Sequence, residues 1–74
     1  MSQVHLIWAM KELKREGNDW VDLQTIKHKM VKDYNYNPDR LRNVIYDDLD
    51  KLVRFRVIKV KANGSFHKNR LFKI

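Results

Sequence analysis

Seven cations, Arg54, Arg56, Lys59, Lys61, Lys68, Arg70 and Lys73, lie between residue 54 and the end of the chain with no carboxylate among them. Residues 1 to 53 carry nine Lys or Arg against nine Asp or Glu, so the whole formal charge of +7 lies in that block. Mixed charge would serve solubility, whereas a one-signed block concentrates potential and draws polyanions. Nucleic acid leads as the partner, ahead of an anionic membrane surface or an acidic protein; a solvated basic tail is the plain alternative. Catalytic chemistry has little to draw on. The chain offers two serines, one threonine, no cysteine and three isolated histidines, His5, His28 and His67. No histidine pair has the helical spacing of a metal site, and Gly17 and Gly64 alone cannot build a phosphate loop. Asp47 and Asp48 are adjacent on a helix and point to different sides, so they form no carboxylate dyad. The expectation is a binding protein: no enzyme, no metal, no cofactor and no small-molecule substrate.

These residues need elements to carry them. At 74 residues the chain is one domain, 1–74, with a single core, since so short a chain buries only ~60% of its unfolded surface. Leu6 to Met10 is the longest apolar stretch, far short of the ~18 residues of a spanning helix. Residues 1 to 10 show no basic start or small-residue cleavage site, so a cytoplasmic location without membrane contact is expected. Ser2 can cap a first helix running to about Glu16, where Gly17 and Asn18 supply a left-handed stop. Its apolar residues Val4, Leu6, Ile7, Trp8, Ala9, Met10 and Leu13 cover roughly two-thirds of the helical wheel, more than one core face requires. Trp20 and Val21 form a short strand before Asp22, which caps a second helix with Leu23, Ile26 and Met30 at helical spacing and an end near Asp33. Asn37 and Pro38 then start a third helix, with Leu41, Val44, Ile45, Leu49 and Leu52 as its stripe to about Arg54. From Val57 the period becomes two-fold, and Asn63-Gly64 is a hairpin signal. A two-residue turn there sets Val60 opposite His67 and Ile58 opposite Asn69, poor core partners. Val60 facing Phe72 and Ile58 facing Ile74 aligns the apolar sides and makes Asn63 to Asn69 a long tip, the preferred register.

Helix, short strand, helix, turn, helix and hairpin is the order of the winged helix-turn-helix, an α+β fold with three helices and a C-terminal β-hairpin wing. The chain resembles that family over nearly its whole length, most closely in IYDDLDKLVRFRVI from Ile45 to Ile58. There Ile45, Leu49, Leu52, Val57 and Ile58 look like the apolar positions of the third helix and the start of the first wing strand. Asp48 before Leu49 is similar to an Arg-Asp-Leu version of the signature, although Asp47 stands where that version has arginine. Arg56 occupies the usual place of a glycine, so the joint is expected to be built differently.

The resemblance implies duplex DNA as the partner and a small transcriptional regulator as the role, with the third helix in the major groove and the wing on phosphates. Arg40, Arg42 and Asn43 have the side chains that read guanine and adenine edges, and Tyr46 completes the candidate base-contacting set. Thr25, His28, Lys29 and Lys32 on the outer side of the second helix, and Lys59, Lys61, His67, Lys68 and Arg70 of the wing, are candidate phosphate contacts. Against tight groove binding, the third helix from Pro38 to Val53 carries four acidic and three basic residues. Asp47 with Lys51 and Asp50 with Arg54 have the spacing to neutralise part of that charge. Lys27 and Asp48 fall on apolar stripes and are expected to meet between helices two and three; the alternative is that Lys27 snorkels. Val4 and Trp8 lie off the core face and suggest a homodimer or docking contact through helix one, unless that helix is wrapped deeply into the core. RNA or single-stranded DNA becomes the partner if Phe66 and Tyr46 are exposed stacking platforms.

Overall fold

The computed structural model describes residues 3–62 and 70–74. Ser2, the expected cap of the first helix, and Asn63 to Asn69, the expected tip, lie outside the described residues. The elements run α1 (Gln3–Arg15), β1 (Val21–Asp22), α2 (Leu23–Tyr34), α3 (Pro38–Arg54), β2 (Lys59–Ala62) and β3 (Arg70–Lys73). They form an α+β fold of three helices and a three-stranded antiparallel sheet in the order β1-β3-β2, compatible with a winged-helix arrangement. Among the described residues no helix is long and apolar enough to cross a membrane.

Local chemistry explains each boundary. Gly17 takes φ 101°, its amide donates to the Lys14 carbonyl at 3.1 Å, and the Asn18 amide donates to Leu13 at 3.0 Å, closing α1. Asp22 caps α2 by accepting from the Thr25 amide at 2.8 Å. The first strand is Val21–Asp22, displaced by one residue from Trp20-Val21, and Trp20 lies against lysine side chains instead. The second helix runs to Tyr34, one residue past the expected end, and Asn35 ends it at φ 58°, a conformation asparagine tolerates. Asn37 caps α3, accepting from the Asp39 and Arg40 amides at 2.9 and 3.3 Å, with Pro38 in the first turn.

The core joins Leu6, Ala9, Met10 and Leu13 of α1, Leu23, Ile26 and Met30 of α2, and Leu41, Ile45, Leu49 and Leu52 of α3. Phe72, on the middle strand, completes it from the sheet, opposite both Val21 and Val60. The Val60 to Phe72 pairing is the register that aligns the apolar sides, with Ala62 opposite Arg70 as its last described pair. On α1, Val4 and Trp8 stay 49% and 52% exposed, so that helix is not wrapped deeply.

Four charge placements depart from expectation. Lys27 and Asp48 are joined by no ion pair or hydrogen bond; Lys27 is half-buried at a groove and Asp48 is buried. The buried cation is Lys29, three residues after Ile26 and therefore on the side of α2 that meets α1. Its side chain is 10% exposed, and Nζ lies 2.5 Å from Glu16, 2.6 Å from Asp33 and 3.5 Å from Glu12. On α3 neither Asp47–Lys51 nor Asp50–Arg54 forms, and Asp50 accepts from Arg70 of β3 at 3.0 Å instead. The α3–β2 joint is closed as a glycine would close it: Arg56 adopts φ 61°, its amide donating to Val53 at 3.0 Å and the Val57 amide to Leu52 at 2.9 Å.

Two outcomes follow for stability. A side chain held in the left-handed region costs roughly 1–2 kcal/mol, so Arg56→Gly should raise unfolding stability by about 1 kcal/mol and the thermal midpoint by ~4–8 °C. An unchanged or lowered midpoint would mean the Arg56 side chain makes a compensating contact. Hydrogen bonding to Lys29 holds the Asp33 carboxyl below its ordinary 3.8, while Asp33 and Glu16 hold the Lys29 ammonium above its ordinary 10.5. Their contribution is complete between those values. It is lost in acid as pH falls through the depressed Asp33 value, and in base as pH rises through the raised Lys29 value. Lys29→Met should therefore lower the neutral-pH midpoint and flatten its fall in acid, read by thermal melts across pH; a variant with the wild-type acid limb would contradict this.

Candidate nucleic-acid interface

The start of α3 is held between the α2–α3 turn and the first half of α2, and it separates two grooves. One, of about 370 Å³, is lined by Gln24, Lys27 and His28 of α2 together with Pro38, Asp39 and Arg42. The other, of about 570 Å³, lies against the turn and takes Tyr36, Asn37, Arg40, Asn43 and Val44. The base-reading candidates thus divide: Arg42 joins α2, whereas Arg40 and Asn43 share the turn side. At ~100° per residue Arg40 and Arg42 stand ~160° apart, flanking an outward face that holds Asn43 and the exposed Tyr46. Asp39, Asp47 and Asp50 share that face. Arg42 Nη2 is 3.4 Å from the Asp39 carboxylate, an exposed pair of small energetic weight that an anion can replace.

The candidate phosphate contacts meet different fates. His28 and Lys32 are exposed one turn apart on α2; His28 lines the groove that holds Arg42, whereas Lys32 lines the groove toward α1, with Glu16, Asn18 and Asp33. Thr25 is committed to the cap: hydrogen bonds from its side chain and amide hold the Asp22 carboxyl below its ordinary 3.8. That carboxylate occupies the helix end a phosphate would take. Lys29 is not on the outer side at all, since three carboxylates hold it between α1 and α2.

Strand parity splits the wing. Arg70 shares a face with Phe72 and turns toward α3, where Asp50 holds it. Lys59 and Lys61 occupy the opposite face, beside Lys73 and Trp20; the Lys61 Nζ stands 4.4 Å and the Lys73 Nζ 5.7 Å from the Trp20 ring centre. Lys73 is also paired with Asp19 at 3.0 Å. Lys59 and Lys61 thus point to the opposite side of the sheet from Arg70. His67 and Lys68, and with them Phe66, lie outside the described residues.

Val4 and Trp8 sit one turn apart on α1 beside an aromatic cluster. His5 stacks on Tyr34 with ring centres 5.5 Å apart, meets Trp8 at 5.5 Å, and places Nδ1 2.6 Å from the Tyr36 hydroxyl. His5 is therefore not isolated, though no group of three metal-ligating side chains is found among the described residues.

Comparison with family models, with curated proteins and with solved structures finds no match to this chain. The residues themselves must carry the reading. Two features escaped the sequence. The sheet face of Lys59, Lys61, Lys73 and Trp20 was signalled by the alternation of Lys59, Val60 and Lys61 and of Phe72 and Lys73. Phe55, 68% exposed just after α3, had no such signal, because an aromatic at a helix end reads equally well as core.

Proposed function

We propose that the chain is a double-stranded DNA-binding protein of the winged helix-turn-helix kind, acting as a small transcriptional regulator in the cytoplasm. The observation that carries this reading is the groove where Gln24, Lys27 and His28 of α2 meet Arg42 at the start of α3. The start of such a helix presents polar side chains to a groove floor, while the neighbouring helix supplies cations for the phosphates. Arg42, Asn43 and Tyr46 face the bases, Arg40 stands at the other flank, and His28 and Lys32 contact the backbone. His67 and Lys68 of the wing contact phosphates. Arg70 joins them once phosphate competes with Asp50. The reading requires neither catalysis nor a cofactor.

Fluorescence anisotropy with a random-sequence duplex tests it. Binding should be micromolar at ~50 mM salt and collapse by ~200 mM, as counterion release requires. Arg42→Ala should weaken binding roughly tenfold, a contact of this kind being worth about 1–3 kcal/mol. Asp39→Asn should strengthen it by freeing Arg42. No binding at low salt, or binding indifferent to Arg42, would overturn the proposal.

A second reading, docking through α1 to another protein or to a second copy of this chain, is favoured by one observation, the half-exposed Val4 and Trp8 one turn apart. A two-fold contact there would also pair two DNA-binding faces. Under this reading Trp8→Glu stays folded and sediments as monomer where the wild type sediments as dimer; an unchanged sedimentation coefficient removes the homodimer.

A further inference from the structure

We infer that the α3–β2 joint is a contact for single-stranded nucleic acid, with Phe55 as its stacking surface and Arg54 and Arg56 as its phosphate partners. This goes beyond the duplex reading, since a base inside a duplex is already stacked on both faces and offers nothing to a protruding ring.

Three observations converge on the joint. Phe55 is 68% exposed, more than any other large apolar side chain among the described residues. Arg54, Arg56 and Lys51 around it are exposed, and none is held by a carboxylate among the described residues, Asp50 being drawn away by Arg70. Arg56 sits at φ 61°, where glycine would relieve the backbone, so an arginine persists at a position that penalises it. That strain is offset by no hydrogen bond or ion pair of the Arg56 side chain among the described residues, which points to a use outside the fold.

The chemistry selects the occupant. An exposed ring flanked in sequence by two exposed arginines matches a polymer that alternates planar bases with phosphates, because every base has a face to stack and each phosphate takes an arginine. An acidic peptide supplies the charge but no planar partner for Phe55. The paired amides of Arg56 and Val57 fix the joint, so little ordering is needed on binding.

The test is titration of the whole chain with a labelled oligo-dT of about 15 nucleotides, close to the upper site size of such grooves. A duplex of equal length and poly-glutamate are titrated in parallel. Phe55→Ala should weaken oligo-dT binding roughly tenfold and leave duplex affinity unchanged. Arg56→Gly should raise the thermal midpoint yet weaken oligo-dT binding, an opposition that a merely structural role cannot produce. Arg54→Gln should weaken it without altering the midpoint. The inference is overturned if the wild type ignores oligo-dT, if these variants bind it as the wild type does, or if poly-glutamate binds as tightly with the same dependence on Phe55. Duplex binding without oligo-dT binding would leave the proposed function standing and remove this inference; Phe55-dependent oligo-dT binding without duplex binding would do the reverse.

Discussion

Lys29 is an ammonium buried between two helices, and the fold must satisfy it. An uncompensated charge at such a depth is strongly unfavourable, so the position is tolerable only if carboxylates converge on it. Glu12 of α1, Glu16 just past its end, and Asp33, one turn further along α2, do so within 3.5 Å. The cluster joins α1 to α2 beside the close-packed apolar contact of Leu6, Met10 and Leu13 with Ile26 and Met30, and the two together set the rotation of one helix against the other. With α1 locked, Leu6, Met10 and Leu13 meet the apolar side of α2, while Val4 and Trp8 are left facing solvent. The orientation of α2 then sets where α3 lies and thus the groove between them.

The same cluster shapes the electrostatics. It gathers three acidic side chains around one cation. Asp22 is consumed as a helix cap, Asp19 by Lys73 and Asp50 by Arg70. With much of the acid committed, the cations without a carboxylate partner among the described residues lie on separate surfaces: Lys11 and Lys14 on α1, Lys27 and Lys32 on α2, Arg40 at the start of α3, Lys51, Arg54 and Arg56 at its end, and Lys59 and Lys61 on the outer sheet face. A net charge that looks like one basic tail in sequence is distributed in space over several sides of a small domain. Arg42, also at the start of α3, is in a surface pair with Asp39 that is cheap to break.

Much of this was legible in the residues. Asp22, Asn37 with Pro38, and Gly17 announce helix ends because each meets a local need, a free amide or a positive φ, that few residue types satisfy. The preferred hairpin register, chosen over a two-residue turn because it keeps Val60 and Phe72 on one side, is the one the strands adopt. Tertiary charge was not legible. Lys29 occupies the edge of its helical wheel, and nothing local says that Glu12 and Glu16 wait opposite, so it read as an outward phosphate contact. The inward side of Arg70 follows from sharing the parity of Phe72, but its partner Asp50 lies 20 residues away on another element. The joint at Arg56 misled for a different reason: an absent glycine suggested another geometry, whereas the backbone kept the left-handed turn and accepted the strain.

The claim that the α2–α3 groove meets duplex DNA is tested most directly by recording amide spectra of the isotope-labelled chain as duplex is added at low salt. The account predicts that the signals of Gln24, His28, Arg40, Arg42 and Asn43 move together and saturate, while those of Val4 and Trp8 and the Trp20 indole stay in place. Shifts confined to α1 or to the Trp20 face, with the start of α3 unmoved, would contradict it.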